Sequence, residues 1–253
     1  MEWSEPAVIL GARAHGETSL ILEVMTRDHG RHLGLVRGGR SKTKAAALQP
    51  GNLVTARWFA RLDQHLGQFT IDPLQLRAGR LMMSSAGLYG LNTVASLLRL
   101  LPERDPHAEL FDALEVVVEH LCGDQHADHA ELNAVIAGAL VVRFELAMLE
   151  ALGFGLDLTR CAATGTTQDL VYVSPKSARA VCREAGTPYH AKLLPLPGFL
   201  MPTRAGDPSC HDVVSGFELT RYFLERNVYG PRGMKPDPAR ASLVRLLERA
   251  LDD

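Results

Sequence analysis

The chain has 253 residues, room for one large domain or two modest ones, and its 46% hydrophobic, 22% charged and 6% aromatic content is that of a globular protein with a real core. No run approaches the roughly 18 apolar residues of a membrane helix, the acidic start Met1-Glu2-Trp3-Ser4-Glu5-Pro6 lacks the marks of a secretory signal, and four scattered cysteines make no disulfide framework, so a reducing cytoplasm is the expected compartment. The net charge of −2 conceals an asymmetry: residues 1–80 hold 11 Lys/Arg against 7 Asp/Glu, a net of +4, and residues 81–253 hold 16 against 22, a net of −6.

The first 79 residues read as β structure. Ala7-Val8-Ile9-Leu10 is a short apolar run, and Gly16-Glu17-Thr18 a turn. Leu20–Met25 is a second strand closing at Asp28-His29-Gly30, and Leu33–Arg37 a third that ends in Gly38-Gly39. After a Pro50-Gly51 turn, Leu53–Phe59 alternates with period two, and Gln68–Ile71 is a fifth strand. Five short strands with glycine punctuation suit a closed barrel, which leaves no sheet edge exposed; the OB-fold is such a five-stranded barrel.

From about residue 80 the period becomes helical. Leu81–Leu101 carries apolar residues at helical spacing, and Asp105-Pro106 reads as an N-cap and first helical position for a helix through Leu121. Ala130–Leu152 is the strongest helix, stopped by Gly153 and Gly155. Ser174-Pro175 is expected to start a short helix through Ala178 and Val181. Residues 212–228 and 238–251 form the last two helices, with prolines 195, 197, 202 and 208 marking irregular chain before them. The expected architecture is α+β and multidomain: an OB-fold barrel over 1–79 and a mostly helical, acidic domain over 80–253.

Three motifs yield little. Gly34–Ser41 matches a phosphate-binding loop except that Arg40 stands where lysine belongs, and Pro50-Gly51 arrives before a long helix could open, so a strand ending in a glycine turn is expected. His120, Cys122, Asp124, His126, Asp128 and His129 lie between two helices, where polar residues belong to a solvated loop. Cys161-Ala162-Ala163-Thr164 and Cys182-Arg183-Glu184-Ala185 outline two Cys-x-x-Cys knuckles, each with its second cysteine replaced. Complete knuckles would close a tetrahedral zinc site; two thiols do not, and although Cys210, His190 or His211 could in principle complete one, a rescue by unrelated positions is not expected, so no metal or other cofactor is expected and the cysteines read as buried structural residues. No catalytic constellation is present, so no enzymatic activity and no catalytic residue are expected.

The basic segment is more informative. Arg31, Arg37, Arg40, Lys42 and Lys44 follow one another with no acid between them, and Arg57 lies on the next strand. Barrels of this type bind single-stranded nucleic acid by combining a cationic groove with stacking rings. Trp58, Phe59 and Phe69 supply rings, of which period two lets only some face outward. Many cations and few rings predict binding that is sequence-indifferent and driven by counterion release. On these residues a DNA-binding protein and an RNA-binding OB protein of the translation or RNA-processing machinery are both open.

Gly16–Val24, with Thr26 and Gly30, then Val36–Lys42 and Leu48-Gln49-Pro50, resemble the barrel of the RecO family. Arg143–Ala147 and Leu152-Gly153-Phe154-Gly155 before Cys161 resemble its central helix and the approach to its zinc ribbon, and Asn227-Val228-Tyr229 its C-terminal helical region. The resemblance implies an OB-fold, a helical domain and a ribbon, here about 157–200 and degenerate because Thr164 and Ala185 replace two of its cysteines. It implies a bacterial, nucleoid-associated recombination mediator that binds single- and double-stranded DNA, anneals complementary strands, and with RecR loads RecA onto strands coated by the single-strand binding protein. By position, Arg31, Arg37, Arg40, Lys42, Lys44 and Arg57 become DNA contacts. The acidic tail of the single-strand binding protein needs a cation beside an apolar hollow, for which Arg143 and Leu146, with Arg99, are the candidates.

Overall fold

The computed structural model describes residues 1–62, 64–123, 130–201 and 207–252, apart from the side chains of residues 130, 131 and 252. The chain divides into two compact units, Met1–Gln125 and His126–Asp253.

In the first unit, β1 (Glu2–His15), β2 (Ser19–Thr26), β3 (Gly30–Val36), β4 (Leu53–Phe59) and β5 (Gln68–Gln75) close into a barrel in the order β1-β2-β3-β5-β4. Alternate residues turn inward, and Ala7, Ile9, Leu22, Val24, Val36, Val54, Ala56, Trp58 and Phe69 make one core. This is the expected five-stranded, OB-like barrel. β1 is far longer than its four-residue apolar run: residues 2–8 pair with β4 and residues 7–15 with β2, across a bulge between Ile9 and Gly11. Pro6 and Gly11 look like strand breakers in sequence, but closure requires one strand to serve two neighbours, and the bulge lets it bend from one to the other.

Four helices complete this unit among the described residues. α1 (Lys42–Ala45) is a single turn in the β3–β4 connection; α2 (Ala78–Leu81) and α3 (Ser85–Leu98) replace one continuous expected helix. The break comes from Ser84, whose side chain accepts a bond from the Gly87 amide and so caps a new helix. α4 (Ala108–Leu121) begins after His107, not after Asp105. Residues 104–105 are engaged with the barrel instead: the Arg104 amide donates to the Arg31 carbonyl at 2.8 Å, and Gly30 lies so close to Asp105 that an added Cβ would clash with its carbonyl. The helices up to Leu121 therefore belong to the compact unit of the barrel, and the segment expected as one helical domain from residue 80 is shared between two units.

The second unit packs α5 (Ala130–Ala151), α7 (Cys210–Leu224) and α8 (Pro238–Asp252) together, and carries a small sheet of β6 (Leu170–Val173), β7 (Ala180–Cys182) and β8 (Leu194–Pro195), with the one-turn α6 (Arg183–Gly186) after β7. Residues 132–151 of α5 have the length and mean hydropathy, 1.8, of a membrane span, although no unbroken apolar run exists there. Within this window Glu145 is fully buried and paired with Arg240, and Val141, Val142, Phe144, Met148 and Leu149 are core residues. A helix apolar on most of its circumference is what the centre of a helical unit requires. The short helix expected from Ser174-Pro175 is a hairpin turn: the Ser174 amide donates to the Arg179 carbonyl and the Ala178 amide to the Ser174 carbonyl, with Val181 on β7. Tyr172-Val173 and Ala180-Val181 pair across the hairpin, and that pairing overrides the helix-start signal. α7 starts at Cys210 behind a Ser209–Asp212 capping box and runs into one π-helical turn over Glu225–Tyr229.

Candidate nucleic-acid interface

Where β3 leaves the barrel, Val36 is still core, and the chain then turns through Arg37-Gly38-Gly39-Arg40, with Gly38 at φ 63°. That backbone region is open to glycine at little cost. The Gly39 amide donates to the Val36 carbonyl at 3.3 Å and the Ser41 amide to the Gly38 carbonyl at 3.2 Å. The Arg40 amide donates to the Thr18 carbonyl at 3.0 Å, and its Nη1 to the Gly16 carbonyl at 3.1 Å, which ties the turn to the β1–β2 hairpin. α1 follows, Lys44 Nζ donates to the Arg37 carbonyl at 3.2 Å, and Leu48 returns the chain to the barrel core. Asn52 fixes that return: buried, it donates to the carbonyls of Ala46 and Ala47 and accepts from the amides of Arg77 and Ala78, the residues that leave the barrel. Sequence reading passes over Asn52, and its one signal is an amide side chain directly after the Pro50-Gly51 turn.

Arg37, Arg40, Lys42 and Lys44 are all exposed on this fixed backbone. Arg40 gives one of its five donors to Gly16, and Lys44 one of three to Arg37, so most of their hydrogen-bonding capacity points to solvent. From His29 to Leu62 the chain contains no Asp or Glu; Glu17 in the neighbouring hairpin tip is the acid beside the turn. Arg57 is also exposed but on a different part of the barrel, on the outer face of β4 with Ser4 and Thr70 as its neighbours across the sheet. Of the rings, Trp58 and Phe69 are inside the barrel, with Trp58 Nε1 donating to the Leu66 carbonyl, and Phe59 faces outward.

Arg31 departs from the expected set. Its Nη1 pairs with Glu23 at 2.9 Å, its Nη2 donates to the Leu101 carbonyl at 3.1 Å, and its side chain is 12% exposed. Arg99, expected beside Arg143, holds the other oxygen of Glu23 at 2.8 Å and donates to the Leu10 carbonyl. The cause is Glu23, which points outward from β2 and draws both guanidiniums in. Together with Arg13, a cation outside the expected set, they line a cavity of about 400 Å³ on the outer wall of β1, β2 and β3.

In the second unit, Arg143 is exposed, donates to the Phe199 carbonyl at 2.9 Å and lies 5.8 Å from the centre of the Phe199 ring. Leu146 is half-buried one turn along α5. A cation and a half-buried apolar side chain thus lie within one turn of each other on α5.

The ribbon brings Cys161, Thr164 and Cys182 together: the Cys182 amide donates to Cys161 Sγ at 3.3 Å, and Thr164 Oγ1 lies 3.7 Å from Cys182 Sγ. Burial alone would raise the Cys161 thiol, but hydrogen bonds from the Thr164 hydroxyl and from the amides of Cys182, Thr164 and Ala163 outweigh it and bring it down to about 6. Zinc does not fit this donor set. Two sulfurs, a threonine hydroxyl and Ala185 cannot supply four zinc ligands, and the described residues contain no cluster of three or more His, Cys, Asp or Glu for any metal. Cys210 is buried elsewhere, bonded to the Leu247 carbonyl. In the expected polar loop, His120 ends α4 and Cys122 is buried behind it, whereas residues 124–129 lie outside the described residues.

The family model for the N-terminal part of recombination protein O matches residues 1–76, and the one for its C-terminal part matches residues 84–236. The chain is 55% identical over 252 residues to the DNA repair protein RecO of Sinorhizobium medicae, covering 99% of this chain and 96% of that one. It is 53% identical to the protein of that name from Chelativorans sp. and 51% identical to that of Brucella abortus, each alignment covering all of this chain and 98% of the relative.

Proposed function

The chain belongs to the RecO family of DNA repair proteins, and from that premise we propose that it binds single- and double-stranded DNA through Arg37, Arg40, Lys42 and Lys44, with Arg57 extending the surface along the outer face of β4. The observation that carries the reading is the set of four exposed cations on a backbone fixed at the rim of the barrel, in a 34-residue stretch (29–62) free of acid. With the backbone held in place before binding, little main-chain freedom is lost when these side chains meet phosphates. Phosphate contact carries no sequence information, so binding is indifferent to sequence and weakens steeply with salt.

A protein that holds two strands by their backbones leaves the base edges free to pair, which is how strand annealing follows from this surface. With RecR it helps load RecA onto strands coated by the single-strand binding protein, in the bacterial cytoplasm at the nucleoid, and no bond-breaking chemistry is assigned to it. Arg143 with Leu146 is the proposed receiver of that protein's acidic, apolar-ended tail. An RNA-binding role draws no support from the relatives, which are named for DNA repair.

The test is the triple variant Arg37→Glu, Arg40→Glu, Lys42→Glu in strand annealing and oligo-dT binding at fixed salt. Loss of both with an unchanged unfolding transition is expected, because exposed charges contribute little stability. Unchanged affinity removes the rim from the function, and preference for structured RNA in the wild type overturns the DNA reading.

A further inference from the structure

The ribbon has lost half of its knuckle cysteines and kept the backbone of the knuckle. Gly165 holds φ 75°, its amide donates to the Cys161 carbonyl at 2.9 Å, and the Cys161 and Ala162 amides donate to the carbonyls of Thr166 and Ala180. This loop folds a ring of amides around Cys161 Sγ, the arrangement that would stabilise a sulfur anion on a metal. Here no second cysteine follows in either knuckle, and the anion's neighbour is the backbone amide of Cys182, the residue that carries the other surviving thiol.

We propose that Cys161 and Cys182 form a dithiol that hydrogen peroxide converts to a disulfide, a redox modification site in the ribbon of this chain. Three observations place it. The two cysteines are joined by the 3.3 Å contact between the Cys182 amide and Cys161 Sγ. Thr164 lies 3.7 Å from Cys182 Sγ, so the hydroxyl spans both sulfurs. Neither thiol is already in a disulfide, and the other two cysteines, Cys122 and Cys210, are held at the Arg77 and Leu247 carbonyls. The amide ring makes Cys161 the nucleophile, because only the thiolate attacks and this one forms near pH 6. Cys122, by contrast, is pushed up by burial and stays protonated.

The steps balance. The Cys161 thiolate attacks one oxygen of hydrogen peroxide, the O–O bond breaks, and Cys161 sulfenic acid and hydroxide form. Cys182 Sγ then attacks the sulfenyl sulfur; the S–S bond forms, the S–O bond breaks, and the hydroxyl leaves with the Cys182 proton as water. Peroxide is reduced and the two thiols are oxidised. A covalent cross-link then stands where other ribbons use an ion.

The experiment uses the full chain at pH 7 with hydrogen peroxide, followed by alkylation in denaturant, digestion without reductant and mass mapping. A linked Cys161–Cys182 peptide is expected, reversed by dithiothreitol, with Cys122 and Cys210 recovered as alkylated thiols; in Cys182→Ser the same treatment leaves Cys161 as sulfenic acid and its further oxides. Recovery of Cys161 and Cys182 as alkylated thiols overturns the proposal. Because a serine variant can fold poorly, a second measurement uses the wild type alone: thiolate absorbance should show one cysteine ionising between pH 5 and 7. Ionisation of all four above pH 8 overturns it, and so does stoichiometric zinc, which would shield both sulfurs.

Discussion

Arg37 and Arg40 in the first unit and Arg240 in the second use the same charge in opposite ways. At the barrel rim, Arg37 and Arg40 lie on a fixed backbone with their guanidiniums in solvent. In the second unit, Arg240 is 8% exposed and donates Nε and Nη2 to a Glu145 carboxylate that is fully buried, with Thr220 donating to the same carboxylate and the Phe217 carbonyl accepting a further Arg240 bond. Sequence shows the same residue type in both places. What separates them is the partner each meets in the fold: among the described residues no ion pair holds Arg37 or Arg40, whereas Glu145, fully buried on α5, binds the arginine that packs against it. Charge without an acid faces outward and is free to meet a polyanion; charge matched inside the fold is structural.

The largest effect that follows is on Arg240. Arg240→Ala leaves Glu145 buried and unpaired, and breaking such a pair costs about 3–5 kcal/mol. Urea unfolding followed in the second unit should register that loss, and the double variant Glu145→Leu, Arg240→Met should recover most of it, since apolar replacement of a whole buried pair is close to neutral. If Arg240→Ala unfolds like the wild type, the contrast between presented and enclosed charge fails. Next in size is Arg31, the barrel arginine that behaves like Arg240. Arg31→Ala should lower the stability of the barrel by about 1–3 kcal/mol through its Glu23 and Leu101 bonds, with DNA affinity at matched folded fraction nearly unchanged; a loss of affinity as large as that of the rim reversals would return Arg31 to the interface.

This arginine also shows where sequence stops. The barrel was legible because its strands alternate, and the glycine turn at Gly38-Gly39 because no helix could follow it. The rim cations were legible because they are contiguous. Arg31 belongs to the same run, but its partners, Glu23 and Leu101, come from a paired strand and a helix end, and pairing of that kind leaves no local mark. Asn52 escapes notice for the same reason, since it links residues 46–47 to residues 77–78. The hairpin at Ser174-Pro175 was hidden by a genuine helix-start signal that β6 and β7 override by pairing. The ribbon's two thiols were visible as separate knuckles; that they meet, and that backbone amides ring one of them, is a property of the folded loop.

A smaller effect sharpens the rim itself. Each of Arg37, Arg40, Lys42 and Lys44 that touches a phosphate releases counterions, and on single strands every such contact contributes about 0.7 to the slope of log K against log salt. Single alanine replacements should each flatten that slope by about this amount and leave the ranking of oligonucleotide sequences unchanged. Arg57→Ala, on the outer face of β4, measures how far the interface extends. A variant that changes sequence ranking would mean that its side chain reads bases.

A pH-dependent effect comes from the enclosed thiolate, a kind of charge the barrel lacks, since the four cysteines are at 122, 161, 182 and 210. Folding brings Cys161 from the ordinary thiol value near 9 down to about 6. Between those values the unfolded chain holds a proton that the folded ribbon has released, so the unfolded state binds more protons and stability rises with pH. The contribution is complete above pH 9 and disappears as pH falls through 6. Amide exchange of residues 157–182 should therefore slow from pH 6 to pH 9, after correction for intrinsic rates, by a margin that Cys161→Ser removes. Exchange in β1–β5 should show no difference between the two proteins. A ribbon whose protection is the same in both, or falls as pH rises, would mean that the amides around Cys161 do not hold an anion.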